Sequence, residues 1–346
     1  MKREAWIDSC RFFAIFVVIV THFLADLLPG ALLLWERMPS WLLLGGLTGK
    51  FSVAFFFVLL GYFASAPKRL ALGDFARYAL RRYIQFAFFV LVTEAVYLPG
   101  CRVVSRLFHA PDAAAAQVLS DGWYYNLIYL LRDGLLFECR YNSALWCMRQ
   151  LFLASLLCRL LGGLSDRLSP ALQLTLTALA GGLLMLVSPR FCVWLAVALL
   201  GVMLRCLQAI LIRPLSPPVC ALLFLAAVSC IKAPLEEGLL LYLLEGLGAF
   251  LLLLVLFHTA FARRLLSRGP FPRLGRDSMG LFVVHTPVFS LCACSVYAFL
   301  FDRLPLAAAL AISFAAGMAL SLFAARLLHR AYALLQRRMS RQPVGV

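Results

Sequence analysis

The chain is a succession of apolar runs of bilayer length, and that limits the folds open to it. Ten can be read, at residues 10–29, 47–66, 80–98, 143–162, 171–188, 191–212, 217–232, 239–259, 277–300 and 305–328. Each is near the roughly 20 residues that a helix needs to cross a hydrocarbon core; the fifth and seventh are short. In lipid the backbone has no water to bond to, so a crossing segment must close its own hydrogen bonds. The expected fold is all-α, a polytopic membrane helix bundle of about ten transmembrane helices. Composition agrees: 63% of residues are hydrophobic, 14% are charged and the mean hydropathy is +0.91. No soluble domain is evident, and the longest stretch outside the runs is 99–142. No internal repeat or inverted symmetry stands out, which disfavours repeat-built transporters.

The formal net charge of +16 invites a nucleic-acid partner, but the placement of charge argues against one. Basic residues gather in short connections between apolar runs, where membrane topology needs them. With the N-terminus inside, 21 Lys and Arg fall on the cytoplasmic side and 8 on the other. Both termini are therefore expected in the cytoplasm, with residues 1–330 as one integral-membrane domain and 331–346 as a basic tail. A cleaved signal peptide is not expected, because the first run has no clear small-residue cleavage site and spans a full bilayer. The eleven cysteines show no CxxC pair and no metal-ligand spacing, so no metal is expected. Cys101 and Cys139 flank the 99–142 stretch; two free thiols and a disulfide in an oxidising compartment are both open readings. Within that stretch, Trp123-Tyr-Tyr-Asn-Leu-Ile-Tyr-Leu-Leu-Arg132 suits a helix lying at the membrane interface.

Ionisable residues inside membrane segments are costly and point to function. Arg11 and His22 lie in the first run, eleven residues apart. On a helix they share one face to within about 20°, roughly 16 Å apart along the axis. His285 lies about eight residues into the ninth run, or roughly 12 Å deep. Glu94 and Glu245 also fall within or near apolar runs, where snorkelling or pairing in the bundle is the plainer role. Asp8 suits a helix cap or an ion pair with Arg11. No phosphate-binding glycine loop, HExxH or GxSxG occurs.

Several stretches, in order, resemble the membrane-bound acyltransferase-3 family of bacterial O-acyltransferases. Trp6-Ile-Asp8 and then Arg11 and His22, separated by ten residues, look like its hallmark. Phe55-Phe-Phe-Val-Leu-Leu-Gly61-Tyr62-Phe63 is similar to its second helix, with Leu60 where Ser is frequent. Tyr78-Ala-Leu-Arg81-Arg82-Tyr83 looks like the basic start of its third, although Gln85 stands where an Arg-x-x-Arg pattern would place the second arginine. Asn142-Ser-Ala-Leu-Trp146 resembles the start of its fourth, and Gly275-Arg276-Asp277-Ser278 through His285-Thr-Pro287 its ninth-helix signature. The resemblance covers about residues 3–330.

It implies an inner-membrane enzyme that moves an acyl group, chiefly acetyl, from acyl-coenzyme A to a carbohydrate hydroxyl. The acceptor would be an exported polysaccharide or a lipid-linked glycan. Acyl-coenzyme A would be a co-substrate, with no permanently bound cofactor. Transfer to a hydroxyl needs a base to take the proton or a nucleophile to carry the acyl group, and His22 can be either. Arg11 and His285 would support it. Arg81 and Arg82 suit the phosphates of coenzyme A, as does the helix start at Arg276 and Ser278. Topology (for the arginines) and capping (for Ser278) are the plainer roles. The rival class is a transporter or exporter that uses the intramembrane His and Glu residues as a path.

Overall fold

The computed structural model describes residues 4–24, 49–65, 71–108, 113–138, 140–163, 168–211, 213–233 and 238–341. Cys139 lies outside them, and with it the question of a bond to Cys101; so do Arg37, Lys68, Arg69 and Arg167. No strand occurs among the described residues. The helices are α1 (Ala5–His22), α2 (Gly49–Ala64), α3 (Leu72–Phe108), α4 (Ala113–Ser120), α5 (Gly122–Leu136) and α6 (Met148–Gly163). They continue with α7 (Pro170–Val187), α8 (Pro189–Ile210), α9 (Pro217–Ile231), α10 (Leu239–His258), α11 (Ala260–Leu266) and α12 (Phe271–Gly275). The last are α13 (Ser278–Val288), a π turn at Phe289–Ala293, α14 (Cys294–Leu300) and α15 (Leu306–Arg341). The final helix thus carries most of the basic tail.

Eight helical segments among the described residues are long and apolar enough to cross a membrane. Two more, α2 and α9, are apolar but have only 16 and 15 residues. The described part of each of the ten apolar runs therefore falls on a helix, while eight of these helical segments reach spanning length. Start signals explain several boundaries. Proline stands at the first turn of α7, α8 and α9, where its missing N–H costs nothing, and Ser169 caps α7 by accepting from the Leu172 N–H.

Two boundaries differ from the sequence reading. Helix α1 begins at Ala5, so Asp8 lies inside the helix and does not cap it. Helix α3 runs through Pro99 to Phe108, which makes the start of the 99–142 stretch helical. Pro99 withdraws one hydrogen bond, to the Ala95 carbonyl, and the helix tolerates that loss. The aromatic segment does form a helix, α5. Trp123, Leu127, Leu131 and Leu135, spaced four apart, are all exposed along one side of it.

The chain sorts into two compact units. The first comprises residues 1–18, 39–82 and 150–272. Its tightest approach is between α2 and α8. A Cβ built on Gly61 would stand 1.8 Å from the Ala198 carbonyl oxygen, and one on Gly201 would stand 2.0 Å from the Val58 carbonyl oxygen. Glycine here lets two backbones meet, the small-residue packing that replaces hydrophobic drive in lipid. Phe57 stacks on Trp194 beside this contact.

The second unit comprises residues 19–38, 83–149 and 273–346. Its centre is α13 and the π turn packed on α15. Gly280 lies against the backbone of Ala325, and Gly317 against Phe289 and Ala293. Gly100 of α3 meets the Leu291 side chain. The buried stripe Phe86, Val90, Glu94, Tyr97 and Cys101 is the inward face of α3, at helical spacing.

Candidate active site

Arg11 belongs to the first unit and is engaged there. Its guanidinium bonds the buried Asp8 carboxylate at 3.1 Å and lies 5.0 Å from the centre of the Phe63 ring. The ion pair explains how Asp8 is tolerated in an apolar segment. Ser9 donates to the Leu266 carbonyl and so ties α1 to the end of α11. Of the proposed donor residues, Arg81 is exposed and Arg82 half-buried in the first unit. Arg77, one turn earlier, is paired with Asp74 at 2.7 Å.

The last turn of α1 lies in the second unit, and there the two sequence-selected histidines meet. The His22 and His285 ring centres are 5.4 Å apart, with the planes at 41°. His22 is half-buried, whereas His285 is 1% exposed. Phe23 sets the position of His22: it is buried edge-on against Phe289 and Phe314, with centroids at 5.5 and 5.2 Å.

His285 is held in one tautomer. Its Nδ1 lies 2.7 Å from the Phe282 carbonyl oxygen, which can only accept, so the proton resides on Nδ1. In the neutral ring Nε2 then accepts from the Thr286 hydroxyl at 3.2 Å. Both ring nitrogens are thus occupied, and the His285 ring faces His22 in a fixed orientation.

The helix that carries His285 is interrupted by Pro287. Proline has no N–H for the carbonyl four residues earlier, so the Val283 carbonyl loses its helical donor. Asn142 replaces it: its side-chain amide donates to Val283 O at 3.0 Å. One turn past the proline the helix widens into the π turn, where Ser290 and Tyr97 of α3 share a 3.2 Å hydrogen bond. Asn142 and Tyr97 therefore brace the His285 helix on either side of its break. Neither is a residue that sequence reasoning selected for the site. Pro287 announces an unbonded carbonyl at Val283, but its donor is 141 residues away along the chain.

Glu94 is fully buried on the same face of α3 as Tyr97, and neither carboxylate oxygen has a partner among the described residues. The sequence reading of snorkelling does not fit a carboxylate with 0% exposure. Asp133, at the end of α5, is 1% exposed. Its Oδ2 accepts from the Arg140 backbone N–H at 2.9 Å. Burial pushes its carboxyl up to about 6, against the backbone N–H groups of Arg140 and Tyr141, which pull it down. Arg276 is exposed at the foot of α13, and Ser278 is half-buried on its first turn. Asp277 occupies the cap position without a side-chain capping bond and lies 3.9 Å from Arg326. No group of three metal-ligating side chains occurs among the described residues.

The arrangement brings a partly accessible imidazole, a tautomer-locked second imidazole and buried oxygens with no partner among the described residues into one unit of an apolar helix assembly. Comparison with curated proteins and with solved structures gave no match. The family model described as an acyltransferase domain, acyltransferase-3, matches residues 4–326. With nearly the whole chain matched on a frame of apolar helices, the protein belongs to the acyltransferase-3 family and is a multi-pass membrane acyltransferase.

Proposed function

We propose that the protein is an inner-membrane O-acyltransferase that moves an acetyl group from acetyl-coenzyme A to a hydroxyl of a cell-envelope or exported carbohydrate. The observation that carries this reading is the His22–His285 pair, 5.4 Å apart, with the proton of His285 fixed on Nδ1. His285 has no free ring nitrogen for chemistry, which leaves His22 as the group that acts. The acceptor oxygen attacks the thioester carbonyl and the carbon–sulfur bond breaks. The hydroxyl proton passes through the His22 imidazole to the departing thiolate, so that ester and free thiol are the products. His285 is a positioning residue that keeps the His22 ring oriented. Arg11 holds the first helix through Asp8 and Phe63. Arg81 and Arg82 are assigned to the anionic donor, whose phosphates suit guanidinium groups, with the helix start at Arg276 and Ser278 as the alternative anion site.

The test uses purified protein in nanodiscs, labelled acetyl-coenzyme A and alkali-deacylated envelope glycans. His22→Ala is expected to lower transfer by about 10²–10⁴-fold, the usual worth of a general base. Transfer unchanged in that variant would remove His22 from the mechanism. Rapid quenching without acceptor separates a base from an acyl relay, because only the relay leaves label on His22.

A further inference from the structure

Three buried side chains of the second unit hold oxygen atoms that receive no hydrogen among the described residues: Glu94 Oε1 and Oε2, Asp133 Oδ1 and Asn142 Oδ1. They are gathered in one place. Gly134, next to Asp133, approaches α3 so closely that a Cβ there would stand 2.1 Å from Leu91 Cδ2, and Leu91 is one turn before Glu94. Asp133 is within electrostatic reach of Glu94. Its Oδ2 is fastened to the Arg140 N–H, two residues before Asn142. Tyr141, between them, packs in a buried cluster with Tyr97 and Cys101, the residues that follow Glu94 on the inner face of α3. The 140–142 segment is held there because the Tyr141 hydroxyl bonds Asn126 at 2.6 Å. With Asn142 Nδ2 committed to the Val283 carbonyl, Oδ1 projects from the other side of the amide.

A buried polar atom left without a partner costs about 1–3 kcal/mol, and a charged one costs more. No donor among the described residues meets these oxygens. The Asn142 oxygen accepts, and a carboxyl oxygen accepts or, when protonated, donates, so the ligand that satisfies them must offer donors, and hydroxyls, which both donate and accept, meet that need. It must also reach the unit where His22 and His285 stand. Adjacent hydroxyls on a sugar ring are donors of that kind, and carboxylate and amide oxygens bind them in pairs.

We propose that Glu94, Asp133 and Asn142 form the subsite that binds the acceptor carbohydrate, through hydroxyls neighbouring the one that is acylated. This rests on the carbohydrate O-acyltransferase reading above. Glu94 and Asp133 fix the ring. Asn142 joins the sugar to the helix that carries His285, and so couples acceptor binding to the histidine pair.

The experiment compares the wild-type full chain with Glu94→Gln and Asp133→Asn in nanodiscs, using labelled acetyl-coenzyme A and deacylated envelope glycans. Both variants keep side-chain shape and replace one acceptor oxygen with a donor group. The expected result is a rise of about tenfold or more in half-saturating glycan concentration. Half-saturating acetyl-coenzyme A and glycan-independent thiol release should stay at wild-type values. Glu94→Asp should recover part of the loss. If both variants keep wild-type glycan saturation while the wild type transfers normally, the subsite is wrong and the reaction stands. If the wild type releases thiol but acylates no glycan, the carbohydrate reading itself fails and the subsite falls with it. Loss of transfer on EDTA treatment that calcium reverses in the wild type, but not in Glu94→Gln, would assign the oxygens to a cation and overturn the proposal.

Discussion

Asn142 and Pro287 make one interaction between them, and it is open to a direct test. The proline strips the Val283 carbonyl of its donor, and the amide of Asn142 supplies another at 3.0 Å. Asn142→Ala leaves a buried carbonyl unbonded and should cost about 1–3 kcal/mol, read as a lower unfolding temperature in detergent. Pro287→Ala returns an N–H to position 287, so in the Asn142→Ala background it should recover stability. A coupling near 1 kcal/mol or more is expected from the cycle. Simple additivity would mean that the two residues do not share the carbonyl. At this scale the sequence was informative about what is costly and silent about what compensates it. His22, His285 and Glu94 are visible because ionisable groups in apolar runs are rare. Asn142 is an ordinary polar residue beside a run, and only the folded chain shows which carbonyl it serves.

Among the elements, α2 and α8 are joined by glycines whose missing side chains are the contact. Gly201→Leu would force a side chain into the Val58 carbonyl, where a Cβ alone would stand at 2.0 Å. Backbone cannot yield there as a flexible side chain does, so the variant should lose the folded, monodisperse peak in fluorescence-detected size exclusion. Gly182→Ala on α7 is the control, because a Cβ at Gly182 meets nothing within 4 Å. It should be neutral, or stabilising by up to about 1 kcal/mol through helix propensity. A normal Gly201→Leu profile would show that the two backbones are not in contact. Helix existence was legible throughout, since the described part of every apolar run falls on a helix. Boundaries were legible where chemistry marks them, as at Pro170, Pro189 and Pro217. They were not legible where a helix leaves the apolar run and continues. Helix α1 starts five residues before its run, and α3 continues ten beyond its own, because apolarity reports lipid and not backbone geometry.

For the whole molecule, the number of crossings decides which residues can meet a cytoplasmic donor. The division into two units could not be read from the sequence, because helices that face lipid and helices that face each other are equally apolar. Topology, by contrast, is written in charge. Helices α2 and α9, with 16 and 15 residues, extend roughly 22–24 Å against a core of about 30 Å. If both cross, there are ten spans and the basic bias is 21 to 8. If one fails, the count becomes odd and Arg326, Arg330, Arg337 and Arg338 face outward, against the rule. If both fail, the termini return to the same side but the spans between them invert. Arg81 and Arg82 then face outward, and the bias falls to 17 against 12. The ten-span arrangement is therefore predicted, with α2 and α9 crossing by local thinning of the bilayer or snorkelling of their flanks. Two reporter fusions test whether α2 crosses. A fluorescent protein after Arg69 should glow and alkaline phosphatase there should be inactive, with the reverse result after Asp121. Phosphatase activity after Arg69 with fluorescence after Asp121 would mean that α2 does not cross, and would withdraw Arg81 and Arg82 from any role with a cytoplasmic donor.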